Sequence, residues 1–417
     1  MQNSSIEEKR NEFKQRAEKA MDKKGAYGSD LELGSEISQR EEEPLESLKS
    51  LDRRLKEASL LAGLSTAEKE RSGTFFQKGD SAIYSKVQSI YEGQVEIMKI
   101  EDALLEYPWL WEYWWSMVPV DMDKYTAAVE LWGKGGYFMR ILPGARVEHP
   151  IQSCLLLDEA GASQRVHNII IAEEDSRAEI ITGCTVSPEI KEGSHLGVSE
   201  FFVKKGAHLT FTMVHNWAEE FDVRPRTGIK VEEDGTFVNN YLLLQPVRSI
   251  QSYPRCVLEG DRSRARFNTI VYGQESSELD MGSVIELNGA MTRGESISRA
   301  LSADRSQVMM RGRLKARSND AHAHLECRGM LLSSTSEMNA VPELWVDGAP
   351  QADLTHEAAV GPVSEEVVEY LMSRGFSKDE AVSAVVQGFM QVGIQGLPEV
   401  LENLLRQTLA SMSEEVV

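Results

Sequence analysis

The stretch from Arg317 to Glu366 holds the residues best suited to chemistry: Cys327 and, further on, the adjacent pair His356 and Glu357. A soft thiolate, an imidazole and a carboxylate are the side chains that hold iron or zinc. His322 and His324 precede the cysteine at a spacing of two, so a strand would place both on one face, where they could chelate a metal. The same alternation turns Cys327 to the opposite face, and it separates His356 from Glu357 unless the chain bends there. A lone H-x-H is more often surface chemistry without consequence, and an isolated cysteine is often a small buried hydrophobe. On the residues alone, a metal site and ordinary packing both stay open.

The elements around these residues change character along the chain. From about Gly133 to Thr355 there is a succession of short runs rich in Val, Ile, Phe and Thr, such as AEIITGCTV, AHLTFTMVHNW and RARFNTIVYG, each bounded by Gly, Asp, Asn or Ser. Gly206, Gly235, Ser263 and Gly289 each open a similar polar-apolar run, at a weak period of roughly 26 to 29 residues. That period, with no helices between the runs, suits a solenoid of stacked strand turns; an antiparallel sandwich fits the pattern nearly as well.

Helical patterning flanks this region. After Gly361, Ser364 caps SEEVVEYLMSRG, Ser377 with Glu380 forms a capping box before AVSAVVQGFM, and Pro398 opens a last amphipathic helix, PEVLENLLRQTLASM. Residues 1 to about 75 are dominated by charged and polar side chains with apolar residues at helical spacing only in places, as at Leu45, Leu48, Leu51, Leu55, Leu60 and Leu61. The spacing from Ser81 to Ala128 predicts further helices, and the cluster Trp109, Trp111, Trp114 and Trp115 predicts aromatic packing in an N-terminal helical core.

Composition limits the function classes. The chain has 417 residues, enough for two or three domains, and its formal charge of -21 would repel a phosphate backbone and an anionic membrane surface. Four scattered cysteines, Cys154, Cys184, Cys256 and Cys327, with no C-x-x-C pair, suggest reduced cytosolic thiols rather than a disulfide framework. The N-terminus has no apolar h-region, and no uncharged apolar run approaches the roughly 18 residues that span a bilayer, so a cytoplasmic protein is expected. There is no G-x-x-x-x-G-K-[ST] phosphate loop, no G-x-G-x-x-G, no G-x-S-x-G and no H-E-x-x-H. The chain is therefore not expected to hydrolyse ATP by itself.

From Gly136 to about Gln395 the sequence resembles the SufB/SufD family, scaffold proteins of iron-sulfur cluster assembly. The likeness runs in order through GYFMRILPGARVEHPIQSCLLL, VHNIIIAEEDSRAEIITGCTV, FFVKKGAHLTFTMVHNW, YPRCVLEGD, RGRLKARSNDAHAHLECRGMLLSS, ADLTHEAAVG and EYLMSRGFSKDEAVSAVVQGF. It implies a mainly β fold: a right-handed parallel β-helix core at 133–360, between an N-terminal helical domain at 1–132 whose start is partly mobile and a C-terminal helical domain at 361–417.

The resemblance also implies roles. The family's assembly-site cysteine falls on Cys327 and its H-E step on His356 and Glu357. The cysteine of its GC turn, which accepts sulfur, falls on Cys184. Its Gln-Asn-Trp step on the sulfur route appears as His215, Asn216 and Trp217, departing at the first residue, and Thr355 stands where the cluster-building branch often carries Glu. SufD-type members lack the assembly-site cysteine, whereas this chain carries both cysteine and histidine, which implies a single-component scaffold working as a homodimer. The cluster would be transient, held by mixed and weaker ligands so that it can be handed on; a flavin is possible but is not indicated by the sequence. The C-terminal helices would dock an ABC-type ATPase through Glu366, Tyr370, Arg374, Gly375, Phe376 and Phe389. Two further readings are a structural paralogue that stabilises a separate scaffold subunit and a β-helix enzyme acting on carbohydrate. The second needs a ladder of paired carboxylates, which the sequence does not show.

Overall fold

A computed structural model describes residues 3–33, 42–65, 70–390 and 403. Its centre is a parallel β-solenoid of about eight turns. One sheet runs β2 (Ser81–Val87), β1 (Gly73–Lys78), β5 (Ile151–Leu157), β7 (Arg177–Val186), β9 (His208–Asn216), β12 (Thr236–Leu243), β15 (Arg264–Gly273), β17 (Arg293–Ser302), β19 (His322–Leu331), β21 (Asp353–Pro362). The other holds β3 (Val95–Lys99), β4 (Tyr137–Ile141), β6 (Ser163–Ala172), β8 (Glu192–Val203), β10 (Glu220–Val223), β11 (Arg226–Val231), β13 (Ser249–Ser252), β14 (Arg255–Leu258), β16 (Glu278–Leu287), β18 (Gln307–Ala316) and β20 (Glu337–Val346). Among these strands only the β1–β2 and β3–β4 pairs are antiparallel. The parallel solenoid thus replaces the sandwich alternative.

The register fixes the repeat. Residues 208, 236, 264, 293, 322 and 353 are successive Cα partners across β9, β12, β15, β17, β19 and β21. The corners explain the weak period seen in the sequence. Left-handed backbone occurs at Asp175, Gly206, Asp234, Arg262 and Met291, just ahead of β7, β9, β12, β15 and β17. The polar residues that punctuate the runs therefore sit in turns, and the apolar residues that follow alternate between lumen and outer face.

A continuous core from Phe75 to Cys327 fills the lumen between the sheets. Helices cover parts of the outer faces. α1 (Asn3–Ala20) and α4 (Lys124–Trp132) pack on Leu196 and Val198 of β8, while α2 (Arg53–Leu61) packs with Phe76, Ile83 and Leu156 on the first sheet. Leu48, Leu51 and Leu55 are buried there, whereas Leu60 and Leu61 are exposed.

The helical expectation for Ser81 to Ala128 is corrected. That segment contains β2 and β3, a short 3-10 turn, then α3 (Ile100–Glu106), a second 3-10 turn at Pro108–Glu112 and α4. Residues in β1 to β3 serve two cores at once. Phe75, Val95 and Ile97 join the lumen, while Phe76, Ile83 and Met98 face outer clusters, so the apolar residues do not alternate with polar ones. The tryptophans do pack, but against the solenoid. Trp109 lies against Phe138 and Trp114 stacks on His167 at 3.8 Å between ring centres.

After β21 come α5 (Glu365–Ser373) and α6 (Lys378–Met390). Ser364 Oγ accepts from Val367 N, and Ser377 and Glu380 exchange hydrogen bonds as a capping box. Of the helix expected from Pro398, only Asn403 is among the described residues, and its backbone is helical. Among the described residues no helix is long and apolar enough to cross a membrane.

Candidate functional site

Strand parity distributes the C-terminal candidates as the sequence requires. On β19, Ala323, Leu325 and Cys327 point into the lumen and are buried, while His322, His324, Glu326 and Arg328 line the outer face. β21 pairs with it in parallel, setting Leu325 beside His356, Glu326 beside Glu357 and Cys327 beside Ala358. Cys327 and His356 therefore share the inner face and Glu357 takes the outer one. A two-residue offset along the strand and one strand spacing across put the Cys327 and His356 Cα atoms about 8 Å apart.

The two inner residues differ in environment. Burial, reinforced by the Glu326 carboxylate and opposed by Arg299, pushes the Cys327 thiol up to about 11. His356 is only half-buried, yet its Nε2 is enclosed and has no hydrogen-bond partner. Burial, with His324 nearby, holds this imidazole below its ordinary value. Beyond β21 the solenoid has no further rung among the described residues, and Leu344, Trp345, Val346 and Val360 are exposed around this end.

The outer face carries a different arrangement. Donor atoms of His324, Glu326 and Glu357 lie within 4.8 Å of one another. Arginines already occupy the carboxylates: Arg299 and Arg328 pair with Glu326, and Arg328 Nη2 donates to Glu357 at 2.7 Å. His324 Nδ1 is hydrogen-bonded to Thr355 Oγ1 at 2.8 Å. Glu357 thus belongs to an ion-pair network on the opposite side of the strand from Cys327.

The sulfur-route candidates lie deeper in the solenoid. Cys184 stands within β7, two residues before its end, rather than at a turn, which corrects the turn implied by the resemblance. Gly183 is needed beside it, because a Cβ there would lie 2.2 Å from the Ala62 carbonyl oxygen at the end of α2. Cys184 pairs in register with His215 on β9, and Trp217 follows, stacked on Phe221 at 5.2 Å. All three are buried. Sequence reasoning missed His195 on β8, whose Nε2 lies 4.0 Å from Cys184 Sγ. No spacing could have signalled it, since the contact joins strands of opposite sheets.

The register also relates the two cysteines. Ser298 sits beside Cys327, Thr269 beside Ser298, Tyr241 beside Thr269, Met213 beside Tyr241 and Thr182 beside Met213. Thr182 is the inward neighbour of Cys184 on β7. One column of lumen-facing residues therefore connects the two neighbourhoods over five strand spacings, about 24 Å.

Of the C-terminal residues, Glu366, Tyr370, Arg374 and Phe376 are exposed on α5 and the turn after it, where Gly375 has a φ of 100°. Arg374 lies over the Tyr370 ring at 5.1 Å. Phe389 on α6 instead packs with Val386 and Met390 against Leu301 and Tyr272 of the first sheet.

Residues 155–389 match the family model described as SUF system FeS cluster assembly, SufBD core domain. An iron-sulfur cluster assembly SufBD family protein of Methanothermobacter thermautotrophicus (strain Winter) is 46% identical over 92% of this chain and 94% of its own. One from Archaeoglobus fulgidus is 44% identical over 87% of this chain and 95% of its own. The iron-sulfur cluster assembly protein SufB of Bacillus subtilis is 27% identical over 81% of this chain and 73% of its own. With a solenoid core and a match of this extent, the chain belongs to the SufBD family of iron-sulfur cluster assembly proteins.

Proposed function

We propose that this chain is a scaffold on which a nascent iron-sulfur cluster is built, rather than an enzyme in its own right, and that it works in the cytoplasm as a dimer with an ABC-type ATPase. The observation that carries the reading is that Cys327 and His356 share the inner face of the last two rungs, at an end exposing apolar side chains. A second copy seated there would cover Trp345 and Val346 and bring a second Cys327–His356 pair close to the first. Neutral imidazole and thiolate are suitable ligands for iron, and the metal itself displaces the thiol proton. A site of two such pairs is weaker than four thiolates, which suits a cluster that must leave.

Sulfur would enter at Cys184. Its thiolate attacks the outer sulfur of a donor persulfide, the donor thiolate departs, and Cys184 holds that sulfur as its own persulfide, the store from which the site at Cys327 would be supplied. The exposed Tyr370, Arg374 and Phe376 on and beside α5 provide a surface for the ATPase, which supplies the hydrolysis. The test is anaerobic reconstitution, with iron and sulfide, of the full chain coexpressed with its ATPase. Cys327→Ala and His356→Ala should each lose most of the cluster absorbance per chain; variants that bind as much cluster as the parent protein would overturn the assignment. Cluster held wholly by a different scaffold subunit would replace it with the structural-paralogue reading.

A further inference from the structure

Four donors meet in the lumen well away from the open end. Cys184 Sγ lies 4.0 Å from His195 Nε2 and 3.8 Å from the Met213 sulfur. The ligand atoms of Cys184, His195 and His215 lie within 4.8 Å of one another. The imidazoles are oriented from behind. Gln164 gives its amide N–H to the Gly79 carbonyl, so its Oε1 accepts from His195 Nδ1 at 2.9 Å, and the lone pair of His195 is left on Nε2, facing the sulfur. Tyr241 Oη holds His215 Nδ1 at 2.6 Å, while His215 Nε2 is buried without a partner. Such backing of one ring nitrogen is how metal-ligating histidines are fixed.

We propose that Cys184, His195, His215 and Met213 form a site for a single soft monovalent transition-metal ion of the copper(I) class. This goes beyond the cluster-assembly reading and does not rest on it. The choice of ion follows from donors and charge. Thiolate and thioether sulfur with imidazole favours copper(I) over hard cations. On binding, the Cys184 S–H proton is released and a metal–thiolate bond forms, so one positive ion meets one thiolate and the complex is neutral. A divalent ion would leave a net positive charge in an apolar lumen, which is costly. Burial supports the ligand state as well: it holds His195 at about 3 and His215 well below its ordinary value, so both rings are neutral at pH 7.

Ligand atoms around a tetrahedral ion with bonds of about 2.0–2.3 Å sit about 3.3–3.7 Å apart, so the Cys184–His195 and Cys184–Met213 pairs need contract by only a few tenths of an ångström and the separations to His215, at most 4.8 Å, by no more than about 1.5 Å. Met213 is the one partly exposed donor and marks the side from which an ion arrives. If Cys184 also takes sulfur, as proposed above, bound metal and persulfide exclude each other on that thiol.

The experiment is an anaerobic titration of the full-length chain with copper(I) against a coloured chelator, repeated on protein refolded in its presence, with X-ray absorption to read the ligands. Expected is one copper per chain, bound by nitrogen and sulfur, in the parent protein and equally in Cys327→Ala. Cys184→Ser should lose it, and the near-isosteric Tyr241→Phe should weaken it about tenfold without unfolding the chain. Four results would overturn the site: no copper bound in either preparation, copper retained by Cys184→Ser, copper lost on Cys327→Ala alone, or zinc(II) displacing copper(I).

Discussion

Acidification should destabilise this protein through His195, and the amount can be worked from its burial. The folded state holds this ring at about 3 against an ordinary 6.5, because burial penalises the charged form. Between those values the unfolded chain binds a proton that the folded chain refuses. Stability from this group is therefore complete above about pH 6.5 and is lost as pH falls toward 3. At pH 5.0 the loss is about 2 kcal/mol relative to pH 7.5. His215 moves in the same direction and remains in a His195→Gln variant, as do the other titrating groups. Denaturant unfolding of the metal-free parent and of His195→Gln, each at pH 7.5 and 5.0, isolates the contribution: the parent should lose about 2 kcal/mol more than the variant. Glutamine preserves a polar partner for Gln164. If both proteins lose the same amount within about 0.5 kcal/mol, His195 is not a buried neutral ring, and the ligand state argued for the lumen site fails with it.

Two other measurements probe the frame. Asp123 is fully buried; its Oδ2 accepts from Arg226 Nε and Nη2 at 2.9 and 2.7 Å, and its Oδ1 caps α4 through Tyr125 N and Thr126 N. Asp123→Ala leaves the guanidinium buried and unpaired and should cost about 3–5 kcal/mol in denaturant unfolding; a cost under about 1 kcal/mol would refute the role of this pair. All four cysteines are free and buried, and burial also pushes the Cys154 thiol up to about 12. A short maleimide pulse at pH 7.5 should label none of them in the native chain and all four in denaturant, with Cys327, nearest the open end, the first to react as the pulse is lengthened. Rapid native labelling of Cys184 would contradict its place in the lumen.

Local chemistry made much of this molecule readable from its sequence. Alternation along HAHLEC sets His324 and Cys327 on opposite faces whatever the strand pairs with, and the same rule divides His356 from Glu357. Ser377 and Glu380 satisfy the first amides of a helix, and Asp234 and Arg262 lie in corners beside the glycine and serine that marked the period. The order of matching segments carried the family. What the sequence did not disclose depends on which rung lies beside which. β1, GTFFQK, shows no alternation of apolar and polar residues because Phe75 faces the lumen while Phe76 faces α2, so adjacent apolar side chains are buried on both sides. His195 meets Cys184 because β8 crosses the lumen opposite β7, and Met213 joins them because β9 is the next turn. Those contacts are set by the register of parallel strands and the lengths of the corners. Only the solenoid therefore decides that Cys184 lies among imidazoles while Cys327 shares the inner face with His356, two residues off register, at the open end.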